Sequence, residues 1–218
     1  MNTALVILAH PDDEAYGPCG TIHKLSLQFQ VHAMILCSGK RPGAEHVSDT
    51  RRRICEMNLT QLGVSTTTWC NYDDTKLEFT DALHAIENTV KQTQPTIVIT
   101  HDCSDLHRDH RIVHEATLVA CRPTPLCSVE SLYTFEVPGA TDWAFGQFGQ
   151  FIPNTYVDIT QHIDMKCMML SRYTTETYDY PDSRSVESVQ VTAASRGKVM
   201  GMAYAEAFRL VYARGRTI

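Results

Sequence analysis

The sequence predicts an α/β fold: a doubly wound, mostly parallel, Rossmann-like sheet with a less regular C-terminal part. Three observations predict it. Short apolar runs alternate with amphipathic helical stretches through the N-terminal half. The first run, ALVILA at residues 4–9, is apolar throughout, as in a strand buried on both faces. The chain has 218 residues, 43% hydrophobic and 20% charged, enough for one core of that size.

Taken in order, residues 4–9 form the first strand and residues 31–37 (VHAMILC) the second, which Ser38-Gly39 ends. A helix follows over 51–62, stopped by Gly63, and then a short strand over 67–71. Residues 81–92 place Leu83, Ile86 and Val90 on one helical face. Residues 96–100 (TIVIT), entered through Pro95, are the fourth strand, and 110–121 the next helix, closed by Pro123 and Pro125. Beyond it, 132–137 and 156–159 read as strands and 139–153 as a long loop rich in glycine and aromatic residues. Residues 161–173 and 186–210 read as helical, the second bent or divided by Gly197 and Gly201. The organisation expected is one domain over residues 1–218.

Composition narrows the function. A net charge of −6 opposes nucleic-acid binding, and the single basic cluster, Arg51-Arg52-Arg53, reads as a solvated helix start. No apolar run reaches the ~18–20 residues of a membrane span, and the opening MNTALVILAHPDDE lacks the basic start of a signal peptide. A cytoplasmic location is expected. The eight cysteines are scattered with no CxxC pair, so in a reducing compartment most read as buried small apolar residues; Cys103, beside a histidine cluster, reads as an incidental loop residue, with a metal-site neighbour as the alternative.

Two segments carry the chemistry. His10-Pro11-Asp12-Asp13-Glu14 follows the first strand, and residues 101–110 (HDCSDLHRDH) follow the fourth. Ligands of doubly wound sheets sit beyond the carboxyl ends of strands, so both segments can meet at one edge. Imidazole nitrogens with a carboxylate suit zinc, and a catalytic zinc keeps three protein ligands. Alone, HPDDE could be a turn capping a helix, and His23, His32, His84 and His162 read as surface or satisfied core residues.

AHPDDE after one strand, with H-x3-D-x-H-x-D-H after a later one, resembles the LmbE-like (PIG-L-type) family of zinc N-deacetylases. Weaker likenesses run through nearly the whole chain: Arg53 and Glu56 before Leu62-Gly63-Val64, Phe135-Glu136, FIPNTYVDIT, Ile163-Asp164-x-Lys166, Asp182-Ser183-Arg184-Ser185, and GMAYAEAF. Asp182 stands where the family usually has His, and Cys37-Ser38-Gly39-Lys40 where it often has T-D-G-E. The resemblance implies zinc, or another divalent ion, held by His10, Asp13 and His110. It implies Asp12 as general base, a protonated His107 at the oxyanion or leaving amine, and Asp109 orienting a histidine. Arg53, Glu136 and Arg184 are candidate substrate contacts, each equally readable as a structural ion pair. The implied reaction removes an N-acetyl or other N-acyl group from an amino sugar or its conjugate. Trp143, Phe145, Phe148 and Phe151 could stack on a sugar ring or pack in a core or subunit contact. The partner expected is a small-molecule amino-sugar substrate, with oligomeric state left open. Two other readings stand beside this: a zinc hydrolase of a non-sugar amide or ester, and a catalytically silent metal-binding assembly protein. A nucleotide-binding Rossmann domain is disfavoured, because the first turn has Gly17 and Gly20 but no GxGxxG.

Overall fold

The computed structural model describes residues 2–40 and 45–214. Strand β1 (Thr3–Leu8) leads into the single turn α1 (Asp13–Tyr16) and helix α2 (Cys19–Ser26). Then come β2 (Gln30–Cys37), α3 (Glu45–Gln61), β3 (Thr66–Tyr72), α4 (Phe79–Thr93), β4 (Ile97–His101), α5 (Arg108–Ala120) and β5 (Ser131–Phe135). A 3-10 turn at Asp142–Ala144 precedes β6 (Thr155–Asp158), α6 (Ile163–Ser171), α7 (Val186–Val199) and β7 (Ala205–Ala213).

The seven strands form one sheet in the order β3-β2-β1-β4-β5-β7-β6. The first five lie parallel, and β7 runs antiparallel to both β5 and β6. The alternation of β1 builds both layers. Ala4, Val6 and Leu8 enter one apolar core, with Ile22 of α2, Cys55 and Leu59 of α3 and Leu170 of α6. Leu5, Ile7 and Ala9 enter the other, with Ile86 of α4 and Val113 and Ala116 of α5. Helices covering both faces explain why this strand is apolar at every position. The order of connection reverses between β1 and β4, which opens a crevice at their carboxyl ends.

Two expectations need correction. The helix read over 186–210 ends at Val199, and residues 205–213 are strand β7. Gly197 packs so closely that a Cβ would lie 2.6 Å from the Met202 carbonyl oxygen, and Gly201 turns at φ 71°. The chain then re-enters the sheet between β5 and β6, where AEAFRLVYA gains pairing on both edges. Tertiary pairing decides such a segment over its helix-permissive alanines. The second correction concerns α3, which begins at Glu45, so Arg51 falls within it. Its inward face carries Arg51, Cys55, Asn58 and Leu59 at helical spacing, continued by Leu62 just past its end, while Arg53 points to solvent.

Strand β7 also secures α2. Glu206 accepts from the Gly20 and Thr21 backbone N–H groups at 2.9 and 2.8 Å and from Lys166 Nζ at 2.8 Å. A buried carboxylate is thereby satisfied by two otherwise orphaned donors and a cation.

Candidate metal centre and active site

The turn after β1 and the loop from β4 to α5 meet in the crevice between their strands. His10 and Asp13 come from the turn, and the Asp13 Oδ2 accepts from the His10 backbone N–H at 2.7 Å. His110 lies in the first turn of α5, and His107 is that helix's N-cap, its Nδ1 accepting from the Asp109 N–H at 3.2 Å. The loop is folded back by Asp105, whose Oδ1 accepts from the His107 N–H at 2.7 Å.

His10 Nδ1 lies 3.1 Å from His110 Nε2 and 3.7 Å from Asp13 Oδ2, and His110 Nε2 lies 3.4 Å from Asp13 Oδ1. The tautomers follow from the far side of each ring. His110 Nδ1 donates to Asp105 Oδ2 at 3.0 Å, and His10 Nε2 donates to Asp109 Oδ2 at 3.1 Å. In the neutral rings, Nε2 of His110 and Nδ1 of His10 are therefore bare lone pairs, facing each other and a carboxylate. That arrangement is repulsive without a positive charge among the three. Bonds of ~2.0–2.1 Å in a tetrahedron separate neighbouring N/O ligands by about 3.3–3.4 Å, so the triangle fits a zinc-like cation. The backing carboxylates are the usual partners of metal-bound imidazoles.

His101, which sequence reasoning left unassigned, joins this cluster. Its Nε2 is 3.2 Å from Asp13 Oδ2, and its ring stacks on His110 at 4.0 Å. Its Nε2 lone pair, however, accepts the Ala9 N–H at 2.9 Å, so His10 is the better ligand. Burial and the His110 charge push the His101 pKa down to about 4.

The charges follow the geometry. Burial works against ionisation of His10 and His110, but Asp109, Asp105 and Asp13 outweigh it and raise both pKa values. In metal-free protein, protons supply the positive charge that the cluster requires. Burial likewise disfavours ionised Asp13, yet the surrounding histidines hold its pKa well below the carboxylate range. His107 differs from the expectation of a protonated ring. Burial, then the His10 and His110 charges, push its pKa down to about 3, and its Nδ1 is occupied as an acceptor. A neutral His107 presents Nε2–H.

Asp12 is buried beside two guanidinium groups. Its Oδ2 accepts from Arg184 Nη2 at 2.9 Å and pairs with Arg51 Nη2 at 3.2 Å. Burial would raise its pKa, but the two arginines lower it and keep it ionised. Glu176 bridges behind them, 3.6 Å from Arg51 Nε and 3.6 Å from Arg184 Nη2. Arg51, only 2% exposed, also pairs with Asp74 at 3.7 Å. The basic run therefore holds one inward arginine, and it is Arg51. Arg53 is exposed on a groove with Glu56, Met57, Thr60, Gln61 and Arg172. Helical spacing over 51, 55, 58 and 62 was the signal that separates the two.

Of the other two candidate contacts, Arg184 reaches Asp12 and lies over the Tyr16 ring, 4.6 Å from its centroid. Glu136 makes a two-point pair with Arg196 of α7, at 2.7 and 2.5 Å. It lines a pocket beyond Phe135 that Lys166 and Glu206 also share. Glu14 turns away from the crevice to accept from Asn58 and Tyr173 at 2.9 and 2.5 Å. Burial, opposed by those donors, raises its pKa to about 7.

The sequence profile of the PIG-L family, described as GlcNAc-PI de-N-acetylase, matches residues 5–121, which include both segments rich in histidine and aspartate. The chain is 30% identical over 129 residues to the uncharacterized deacetylase YaiS of Escherichia coli (strain K12), covering 56% of this chain and 69% of that protein. Among solved structures, it resembles an N,N'-diacetylchitobiose deacetylase from Pyrococcus horikoshii with a TM-score of 0.79 and 22% identity, over 96% of this chain and 84% of that one. It resembles GalB, the 4-carboxy-2-hydroxymuconate hydratase from Pseudomonas putida KT2440, with a TM-score of 0.78 and 20% identity, over 100% and 99%. These last two likenesses establish the fold, which holds more than one chemistry.

Proposed function

We propose, for a chain that belongs to the PIG-L (LmbE-like) family, that it is a metal-dependent hydrolase removing an N-acetyl group from an amino sugar or amino-sugar conjugate. The observation that carries this is the convergence of His10 Nδ1, His110 Nε2 and the Asp13 carboxylate beside the ionised Asp12. We read residues 1–218 as one deacetylase domain. Strands β6 and β7 complete the same sheet, and Arg184 from the C-terminal part reaches Asp12, which supports that reading.

His10, Asp13 and His110 would hold the ion, which we take to be zinc. When bound, zinc supplies a Lewis acid for the acyl oxygen and lowers the pKa of a water to about 7. The remaining work falls to the protein. Both arginines engage Asp12 Oδ2, which leaves Oδ1 to take the proton of the attacking water and pass it to the departing nitrogen. Ionised at neutral pH, Asp12 starts in the accepting state. His107 donates from Nε2 to the oxygen of the tetrahedral intermediate as a neutral N–H donor. Asp109 fixes the His10 ring and, through its backbone N–H, the His107 ring. Arg184, partly exposed beside Asp12, is the candidate for holding a substrate oxygen. The products are acetate and a free amine.

The test is a panel of N-acetylhexosamines and their conjugates, scored by amine release before and after chelation. Turnover of at least one member that chelator abolishes and zinc restores is expected. Cleavage of acetylated peptides or of esters alone, with every sugar inert, would overturn the substrate class. Full turnover in metal-free protein would overturn the metal.

A further inference from the structure

His10 has two faces. Its Nδ1 looks toward Asp13 and His110, and its Nε2 looks into a second buried cluster. There Asp109 Oδ2 lies 3.1 Å away and Asp74 Oδ1 4.0 Å away. Cys37, at the end of β2, brings its Sγ to 3.8 Å from Asp109 Oδ2. One donor atom each from His10, Cys37 and Asp74 all lie within 4.8 Å of one another, and all three residues are buried. A separate observation concerns Asp109. Its side chain is fully buried and its Oδ1 has no hydrogen-bond partner. A buried, unpartnered carboxylate oxygen is costly, and a cation is one partner that relieves it.

We propose that Cys37 Sγ, Asp74, Asp109 and His10 Nε2 form a second divalent-cation site, back to back with the first across the His10 ring. The donor set of one thiolate, one imidazole and two carboxylates selects zinc, cadmium or cobalt over magnesium and calcium, which prefer oxygen alone. Loading expels two protons to solvent, one from the Cys37 thiol and one from His10 Nε2, with no change in oxidation state. The site rests on the reading of His10 as a ligand of the first ion. Its occupancy is inhibitory, because it takes from His10 the Asp109 partner that fixes the ring against the first ion. Excess zinc therefore slows the enzyme.

Cobalt titration of the metal-free, full-length protein tests this. Two equivalents should bind, the second bringing a thiolate-to-cobalt charge-transfer band in the near ultraviolet. Cys37→Ser should lose the band and the second equivalent, keep the first with its turnover, and resist excess zinc. Cys103→Ser should keep both equivalents and the band. A single equivalent without the band overturns the second site and leaves the proposed activity standing. A single equivalent that carries the band also overturns it, since Cys37 would then serve the only ion. In Asp13→Ala, where the first site is damaged, the band should persist, which separates failure of one site from failure of the other.

Discussion

His10 Nδ1 and His110 Nε2, one hundred residues apart in sequence, stand 3.1 Å apart. Each is backed on its far nitrogen by an aspartate, Asp109 for His10 and Asp105 for His110. Two imidazoles held this way present lone pairs to one point, and a third comes from Asp13. On the proposed reading, the residues behind these three donors shape the crevice for a cation as much as the donors do.

Asp105→Asn should weaken metal binding while leaving the fold intact. The amide cannot carry the charge that favours His110 as a Nδ1–H tautomer. Loss of such an outer partner costs roughly 10–100-fold in metal affinity. Competition against a chromophoric chelator measures it, and unchanged affinity would show that His110 needs no such backing.

Arg51 and Arg53 should behave as opposites. Arg51→Met leaves Asp12, Asp74 and Glu176 without a shared buried counter-charge. Breaking a buried ion pair from one side costs about 3–5 kcal/mol. Arg53→Ala, on the solvent face of α3, should change stability by no more than about 0.5 kcal/mol and leave turnover unaltered. Chemical denaturation of the two variants decides it, and an equal effect would refute the assignment of the inward arginine.

Much of this was legible in the sequence. The ALVILA and TIVIT runs marked the central strands, and the segments rich in histidine and aspartate after each marked the crevice. The ends of the reading were set by contacts that sequence periodicity does not carry. Residues 205–213 are a strand because β5 and β6 flank them. Arg51 is the inward arginine because α3 begins at Glu45 and turns that face toward Asp12. The neutral state of His107 follows from an N-cap bond and two charged neighbours, His10 and His110, that lie near it only in the fold. Asp105 and Glu176 escaped notice for the same reason: each acts through a residue distant in sequence or hidden behind a ligand.

The pH dependence of metal binding has a definite sign. His10 and His110 have pKa values raised above the ordinary 6.5 in metal-free protein, and the ion needs both rings neutral. Protons therefore compete increasingly as pH falls through those raised values. They also stabilise the metal-free fold on the acid side, a contribution lost as pH rises. The gain in Tm on adding zinc should be large at alkaline pH and shrink from above pH 6.5 downward. Thermal melts with and without zinc across pH check this, and a pH-independent gain would contradict it.

Glu14 should weaken the metal-free fold at alkaline pH. Its pKa is raised from 4.5 to about 7 by burial, so the native state holds the proton more tightly than the unfolded chain does. Stability is then lost as pH rises from 4.5 and levels off above about 7. A shift of that size corresponds to on the order of 3 kcal/mol. Glu14→Gln, neutral at all pH, should melt above the wild type at pH 8 and close to it at pH 4. The same difference at both pH values would show that Glu14 does not titrate in this range.

The most direct test of the central claim is metal content measured beside steady-state kinetics on Asp12→Asn and Asp13→Ala. If Asp13 is a ligand and Asp12 the base, Asp13→Ala loses both metal and turnover. Asp12→Asn then keeps its metal and its KM while kcat falls by on the order of 10²–10⁴, the usual worth of a general base. Near-normal turnover in Asp12→Asn, or metal lost from Asp12→Asn and retained by Asp13→Ala, would contradict the account.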